Sequence, residues 1–353
     1  MPHIVSDPAR VTSAWLTEVL QHGGVQATIS SFQAANVGTG QVGQNVRFEL
    51  DYQTGAGPAS IVGKFASADP TSRSTGIAQN NYLKEVRFYQ ELKPSLDVQT
   101  PAVLFAAIDP MSHDFCLIME DLAPAVQGDQ ITGCNADQAR LAISQAVRLH
   151  APRWGDARLH DFEWLGQQTA ETAAMGQQMY QHLFPGFVER YQSRLTQAHL
   201  NMAERLGANF AYWSNGYDGP LTVTHGDFRL DNMLFGGRYP LTIVDWQTPG
   251  LGAAMSDVAY FLGAGLTPED RKRHEQDLVR DYHQQLLAAG VDDYPFEECW
   301  DHYRRYSFSG LLMAVIASMI VGQTDRGDEM FMAMASRHAQ QAIDLHAGEF
   351  LES

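Results

Sequence analysis
The chain has 353 residues, enough for two lobes with separate cores at roughly 100–200 residues each. Its 44% hydrophobic and 18% charged residues describe a folded globular protein and exclude extended disorder. A net charge of −17 argues against nucleic acid and anionic membrane as partners, since both call for a basic surface.

The opening stretch, MPHIVSDPAR, lacks a basic segment followed by an apolar run, so no secretory signal is expected. SDPARVTSAWLTEVLQHGG then reads as a helix, with Asp7 as N-cap, Pro8 in the first turn and Gly23 at its stop. In NVGTGQVGQNVRFELDY, residues 36–52, Gly38, Gly40 and Gly43 spell G-x-G-x-x-G. That spacing is shared by the dinucleotide-binding turn of a Rossmann unit and by the glycine-rich hairpin that covers nucleotide phosphates in kinases. The residues after Gly43 separate the two. Val46, Phe48, Leu50 and Tyr52 alternate with polar residues, the period of a half-buried strand. A Rossmann turn must run into a helix and meet an acidic residue about 20 positions on, whereas this chain offers Lys64 there. The hairpin reading is the one that fits.

ASIVGKFAS is a second strand, carrying Lys64 among apolar and small neighbours where a solvated lysine has no reason to be. NNYLKEVRFYQEL is a helix with Glu85 near its middle, and a Lys64–Glu85 pair would hold the ammonium against the α- and β-phosphates. FCLIMEDL is an apolar strand ending in two acids, and the backbone of Glu120–Leu122 suits the edge of an adenine. From about residue 137 helices dominate. DQARLAISQAVRLHAP stops at Pro152, and TPEDRKRHEQDLVRDYHQQLLAAG has Thr267 as cap, Pro268 at the first position and Gly290 at the exit. Between them LTVTHGD and LTIVDW are short strands joined through Gly236 and Gly237. The longest uncharged apolar stretch, FSGLLMAVIASMIVG, falls short of the roughly 20 residues that span a bilayer; it reads as a buried core helix, with no membrane insertion. Pattern alone thus gives a small β-rich lobe over residues 1–122 and a larger helical lobe over 123–353.

Phosphoryl transfer needs fixed phosphates, metal charge across them and a carboxylate at the attacking hydroxyl. HGDFRLDN, residues 225–232, matches the H-x-D-x-x-x-x-N spacing of a kinase catalytic loop, with Asp227 as base and Asn232 as metal ligand. Thirteen residues past Asn232, IVDW supplies Asp245 at a strand end, where a second carboxylate can hold Mg²⁺. Arg229 is a candidate to steady the transferring phosphoryl group, and an ordinary surface arginine is the other reading of it. His225 reads as a structural hydrogen-bonder, and Asp257 as a helix cap or a brace for the loop backbone.

Taken together, NVGTGQVGQN, Lys64, Glu85, LIMEDL, HGDFRLDNMLF and IVDWQTPGLGAAMSDVAYFL resemble the aminoglycoside-phosphotransferase and choline-kinase-like superfamily, in that family's order and over residues 10–345. The resemblance implies an α+β, bilobal protein-kinase-like fold, ATP or GTP, Mg²⁺, and transfer to a hydroxyl of a small molecule. It makes Asp227 the base, Asn232 and Asp245 metal ligands, and Lys64 and Glu85 the phosphate clamp. Antibiotic enzymes of the family usually carry histidine where this chain has Arg229. In that respect the chain is more similar to the kinase-like domains fused to acyl-CoA dehydrogenases and to ecdysteroid-kinase-like proteins.

Two other functions fit the residues less well. A nucleotide-binding pseudokinase is disfavoured by the presence of Lys64, Asp227, Asn232 and Asp245 together. A nicotinamide-dependent oxidoreductase is disfavoured by the strand after Gly43. The acceptor is not encoded in any motif: residues 153–215 hold Trp154, Phe162, Trp164, Phe184, Tyr212 and Trp213, aromatics that suit a core or a pocket. Residues 1–120 carry a net −4 and the remainder −13, which suits either a cationic substrate or a solvated acidic surface. Cys116, Cys134 and Cys299 are far apart, and no histidine pair has ligand spacing, so a reducing cytoplasm is expected and no thiolate metal site.

Overall fold
The computed structural model describes residues 1–38 and 43–352. It divides into two compact units: Met1–Ser95 with Gln99–Val126 and Gly236–Pro249, and Leu96–Val98 with Gln127–Phe235 and Gly250–Ser353.

The first unit is built on a five-stranded antiparallel sheet. Its elements are helix α1 (Ser13–His22), strands β1 (Thr28–Asn36), β2 (Gly43–Thr54) and β3 (Ser60–Ala66), helices α2 (Pro70–Ala78) and α3 (Asn81–Arg87), and strands β4 (Val103–Ile108) and β5 (Phe115–Glu120). The strand order is β1-β2-β3-β5-β4, so β3 lies at the centre. Asn36 pairs with Val46, so the glycine segment joins two antiparallel strands, as a hairpin requires and a Rossmann turn does not.

Period-two alternation sorts the sheet's faces. Val46, Phe48 and Leu50 of β2 with Ile61 and Phe65 of β3 pack against Trp15, Leu16, Val19 and Leu20 of α1. Each such fully buried side chain contributes roughly 1.5–3 kcal/mol. Lys64, one residue out of phase, turns to the opposite face, where α3 lies against β4 and β5. Tyr82 of α3 stacks on Phe115 there. The first helix begins later than expected: Asp7 caps only a single turn at Pro8–Arg10, and Thr12 caps α1 by accepting from Trp15 N–H. Val11 is extended and buried between the two, so the chain cannot run through as one helix.

The second unit is helical. It contains α4 (Ala136–His150), α5 (Ala170–Tyr191), α6 (Gln197–Asn215), the short strands β6 (Leu221–Thr224) and β7 (Gly250–Ala253), then α7 (Ala254–Gly265), α8 (Pro268–Ala288), α9 (Phe296–Arg305), α10 (Ser309–Ile320) and α11 (Asp325–Asp344). Helix α7 is buried along its whole length, and it packs against β6, α4, α8, α9, α10 and α11. Its sequence, AMSDVAYFLGAG, is apolar all round except for Ser256 and Asp257, as a central helix must be. Helix α10 packs on α5 and α11. No helix of the described residues is long and apolar enough to cross a membrane.

Candidate active site
The first group of functional side chains lies in the sheet unit. Lys64 Nζ sits 2.9 and 2.7 Å from the two carboxylate oxygens of Glu85 and 2.8 Å from Asp245 Oδ1. Strand β3 fixes the lysine, α3 supplies the glutamate, and the turn after the short strand Leu241–Ile243 supplies the aspartate. Asp245 has φ +65°, a conformation costly for a residue with a Cβ and held only where the surroundings impose it. They do so here: Trp246 is buried and stacks on Phe88, ring centres 3.8 Å apart, and donates from Nε1 to Ile243 O. Burial alone would lower the Lys64 pKa, but Asp245 and Glu85 outweigh it and hold the ammonium above the ordinary lysine value. Burial drives the Glu85 carboxyl upward, offset only in part by Lys64.

Gly43, the first residue of β2, passes close to this lysine. A Cβ there would meet Lys64 Cε at 3.2 Å and Phe65 O at 3.3 Å, so a larger residue would press on the clamp. Gly38 takes φ +75°, which favours glycine. Gly40 lies outside the described residues. Glu120 ends β5 with its N–H donated to Ala102 O and its carboxylate accepting from Ala102 N–H. Leu122 O accepts from Ala125 N–H. Asp121, between them, takes a two-pronged bond from Arg47 (2.5 and 3.0 Å) and the Ser60 hydroxyl at 2.7 Å. Both acids of MEDL therefore brace the end of the strand.

The second group lies in the helical unit, in the loop after β6. Asp257, on the first turns of α7, accepts the N–H of His225 at 2.6 Å and of Gly226 at 3.0 Å, so it braces the loop backbone and does not cap α7. Gly226 turns the chain with φ +78°. Behind Asp257 stands His150, the last residue of α4, whose Nε2 donates to Asp257 Oδ2 at 3.3 Å while Nδ1 accepts from the Tyr282 hydroxyl at 2.8 Å. Thr222 ties the His150 carbonyl to β6. His225 is buried, its Nδ1 accepting Asp227 N–H.

Asp227 itself is surrounded by donors. Tyr260 O–H reaches its Oδ1 at 2.8 Å, Asn232 Nδ2 its Oδ2 at 2.8 Å, and Arg229 Nε both oxygens at 2.9 and 3.0 Å. Asn232 Nδ2 also donates to Asp227 O, so its amide nitrogen is committed to Asp227 twice. Burial and the Asp227 charge push the Tyr260 pKa far up, so this phenol stays a hydrogen-bond donor. Arg229 extends further, with Nη1 on Asp231 Oδ2 at 2.6 Å. Burial opposes its charge, but Asp227 and Asp231 raise its pKa.

Sequence reasoning missed Tyr260, His150 and Asp121. Tyr260 carries a usable signal, since it lies three residues past Asp257 on one helix and so faces the same side. His150 and Asp121 act only through contacts distant in sequence.

A model of the phosphotransferase enzyme family matches residues 68–298, well over half of the chain. The chain belongs to that family. It has the kinase-like fold, with a sheet-rich N-terminal part and a helical C-terminal part. Mouse acyl-CoA dehydrogenase family member 10 is 31% identical over 119 residues, covering 29% of this chain and 11% of that protein, so the match spans about a tenth of that relative's length. Two solved structures are similar in fold. The macrolide 2′-phosphotransferase of Brachybacterium faecium is 14% identical, with a TM-score of 0.51 over 90% of this chain and 96% of that one. A spectinomycin phosphotransferase, solved with ADP and spectinomycin, is 12% identical, with a TM-score of 0.50 over 96% and 99%.

Proposed function
We propose that this enzyme transfers the γ-phosphoryl group of ATP or GTP to a hydroxyl of a small molecule, in a Mg²⁺-dependent reaction in the cytoplasm. The observation that carries the reading is Asp227, a carboxylate fixed by Tyr260, Asn232 and Arg229 on a loop whose backbone Asp257 braces. Such a carboxylate suits the removal of a proton from an attacking alcohol. The acceptor oxygen bonds to phosphorus, the bond from phosphorus to the diphosphate breaks, and the alcohol proton passes to Asp227. Lys64, held ionised by Glu85 and Asp245, supplies a fixed positive charge for the α- and β-phosphates. The backbone at Glu120–Leu122 meets the base, and the glycine hairpin with Gly38, Gly40 and Gly43 covers the phosphates.

The residues present suit Mg²⁺, a hard cation that takes oxygen donors. Asn232 offers Oδ1 because its amide nitrogen is spent on Asp227, and Asp245 offers a carboxylate whose side chain is 40% exposed. When bound, the ion neutralises charge spread over the phosphate oxygens. All three cysteines are free thiols, which supports a reducing compartment.

The test is calorimetric titration of ATP, GTP and NAD⁺ with and without Mg²⁺, followed by a phosphate-transfer screen of alcohols spanning aminoglycosides, hydroxyacyl thioesters and sterols. Tight binding of NAD⁺ without metal, and none of ATP, would refute the proposal.

A further inference from the structure
We infer that Arg326, at the start of α11, is a positioning residue that acts through Asp231 to hold Arg229 against Asp227. The inference rests on the reading of Asp227 as the base. Asp231 lies within the catalytic loop with its side chain only 8% exposed, and such a carboxylate needs compensating charge and donors. It has them on three sides. Arg229 Nη1 reaches its Oδ2 at 2.6 Å, Arg326 Nη2 its Oδ1 at 3.1 Å, and Gln130 N–H donates to Oδ1 at 3.0 Å. Burial would raise the Asp231 pKa, but these partners outweigh it and keep the group ionised.

The consequence concerns how Arg229 divides itself. Because Arg326 forks onto both oxygens of Asp231, with Nη2 on Oδ1 at 3.1 Å and Nη1 on Oδ2 at 3.3 Å, Arg229 needs to send only one nitrogen there and keeps Nε on Asp227. Without Arg326, the buried Asp231 keeps Arg229 as its one cation among the described residues. A planar guanidinium offers carboxylates a two-pronged fit, so Arg229 would turn toward Asp231 and draw Nε away from Asp227. Asp227, with a side chain 23% exposed, can take water instead, whereas Asp231 cannot. Arg326 is itself 51% exposed and also touches Asp129 at 3.4 Å, so as an ion pair it adds little to stability. Its effect falls on geometry.

The experiment uses full-length protein carrying ¹⁵N-labelled arginine. The Arg229 Nε–H resonance is identified by its loss in Arg229→Lys, and its exchange with water is measured at neutral pH. In Arg326→Met the exchange should quicken by about 3- to 30-fold, the range of coupling carried by residues that touch neither ligand. The unfolding midpoint should stay within roughly 3 °C of wild type. Arg326→Lys, which keeps a cation beside Asp231, should restore most of the protection. Unchanged exchange in Arg326→Met overturns the inference, as does equal acceleration in the lysine variant. Should the methionine variant fail to fold, Arg326→Gln serves the same comparison. This readout needs no nucleotide or acceptor, so it fails independently of the base assignment, which turnover of Asp227→Asn tests.

Discussion

Arg229 lays its Nε–H across both carboxylate oxygens of Asp227, at 2.9 and 3.0 Å. Tyr260 and Asn232 donate to one oxygen each, so the four or so acceptor positions of an ionised carboxylate are all engaged. An acceptor hydroxyl approaching Asp227 must therefore take the place of a donor. In the proposed mechanism the contact that yields is that of Arg229, whose Nε–H is shared between the two oxygens. In the proposed mechanism Arg229 is then free to face the transferring phosphoryl group.

Asp227→Asn should lower kcat by about 10²–10⁴ while nucleotide affinity changes little, the usual effect of losing a positioned base. Tyr260→Phe, which removes one direct donor, should lower kcat about tenfold, in line with a hydrogen bond to a charged group. Both are measured by steady-state turnover on an acceptor from the alcohol screen. Full activity in Asp227→Asn would take the base role away from this residue.

Asp257→Ala should be costly to the fold as well as to catalysis. It leaves the N–H groups of His225 and Gly226 without their acceptor, and His150 Nε2 with them. Gly226 is exposed and its N–H can take water, but the buried His225 N–H and His150 ring each cost about 1–3 kcal/mol as orphans, so the thermal midpoint should drop by several degrees. A midpoint equal to wild type would show that the loop keeps its shape without this brace.

Asp245→Ala separates metal binding from the clamp. If Asp245 holds Mg²⁺ on the phosphates, the variant should bind nucleotide more weakly mainly when Mg²⁺ is present. Calorimetry in Mg²⁺ and in EDTA makes the comparison. Equal weakening in both would place the damage in Lys64, which loses one of its two carboxylate partners.

His338 gives a pH dependence that has nothing to do with catalysis. It is fully buried on α11, and burial lowers its pKa to about 4. In the unfolded chain the value returns to about 6.5. Between those values the unfolded state binds more protons, so stability is fully present above pH 6.5 and is lost as pH falls toward 4. At pH 5 the loss from this group is about 2 kcal/mol relative to pH 7. Chemical unfolding of wild type and His338→Asn at both pH values should show a shallower pH dependence in the variant. An unchanged dependence would mean that other groups set the acid limit.

Much of this enzyme is readable in one dimension because the relevant physics is local. Alternation in NVRFELDY makes a strand whatever surrounds it, Thr267-Pro268 starts a helix and Gly290 ends one, and HGDFRLDN sets Asp227 and Asn232 five residues apart in one loop. The glycine spacing between β1 and β2 and the lone Lys64 on a strand belong to the same class. Other features have no local signature. Asp7 and Thr12 are equally good caps by composition, and burial of Val11 decides that α1 begins at Thr12. The pairing of Lys64 with Glu85 is suggested by order but made by sheet and helix packing, and its second partner, Asp245, lies 181 residues away. Tyr260, His150, Asp231 and Arg326 are ordinary residues of ordinary helices and loops until folding brings them to Asp227 and Asp257. A buried carboxylate must find its donors wherever the packed chain presents them, and that requirement is met in three dimensions, not along the sequence.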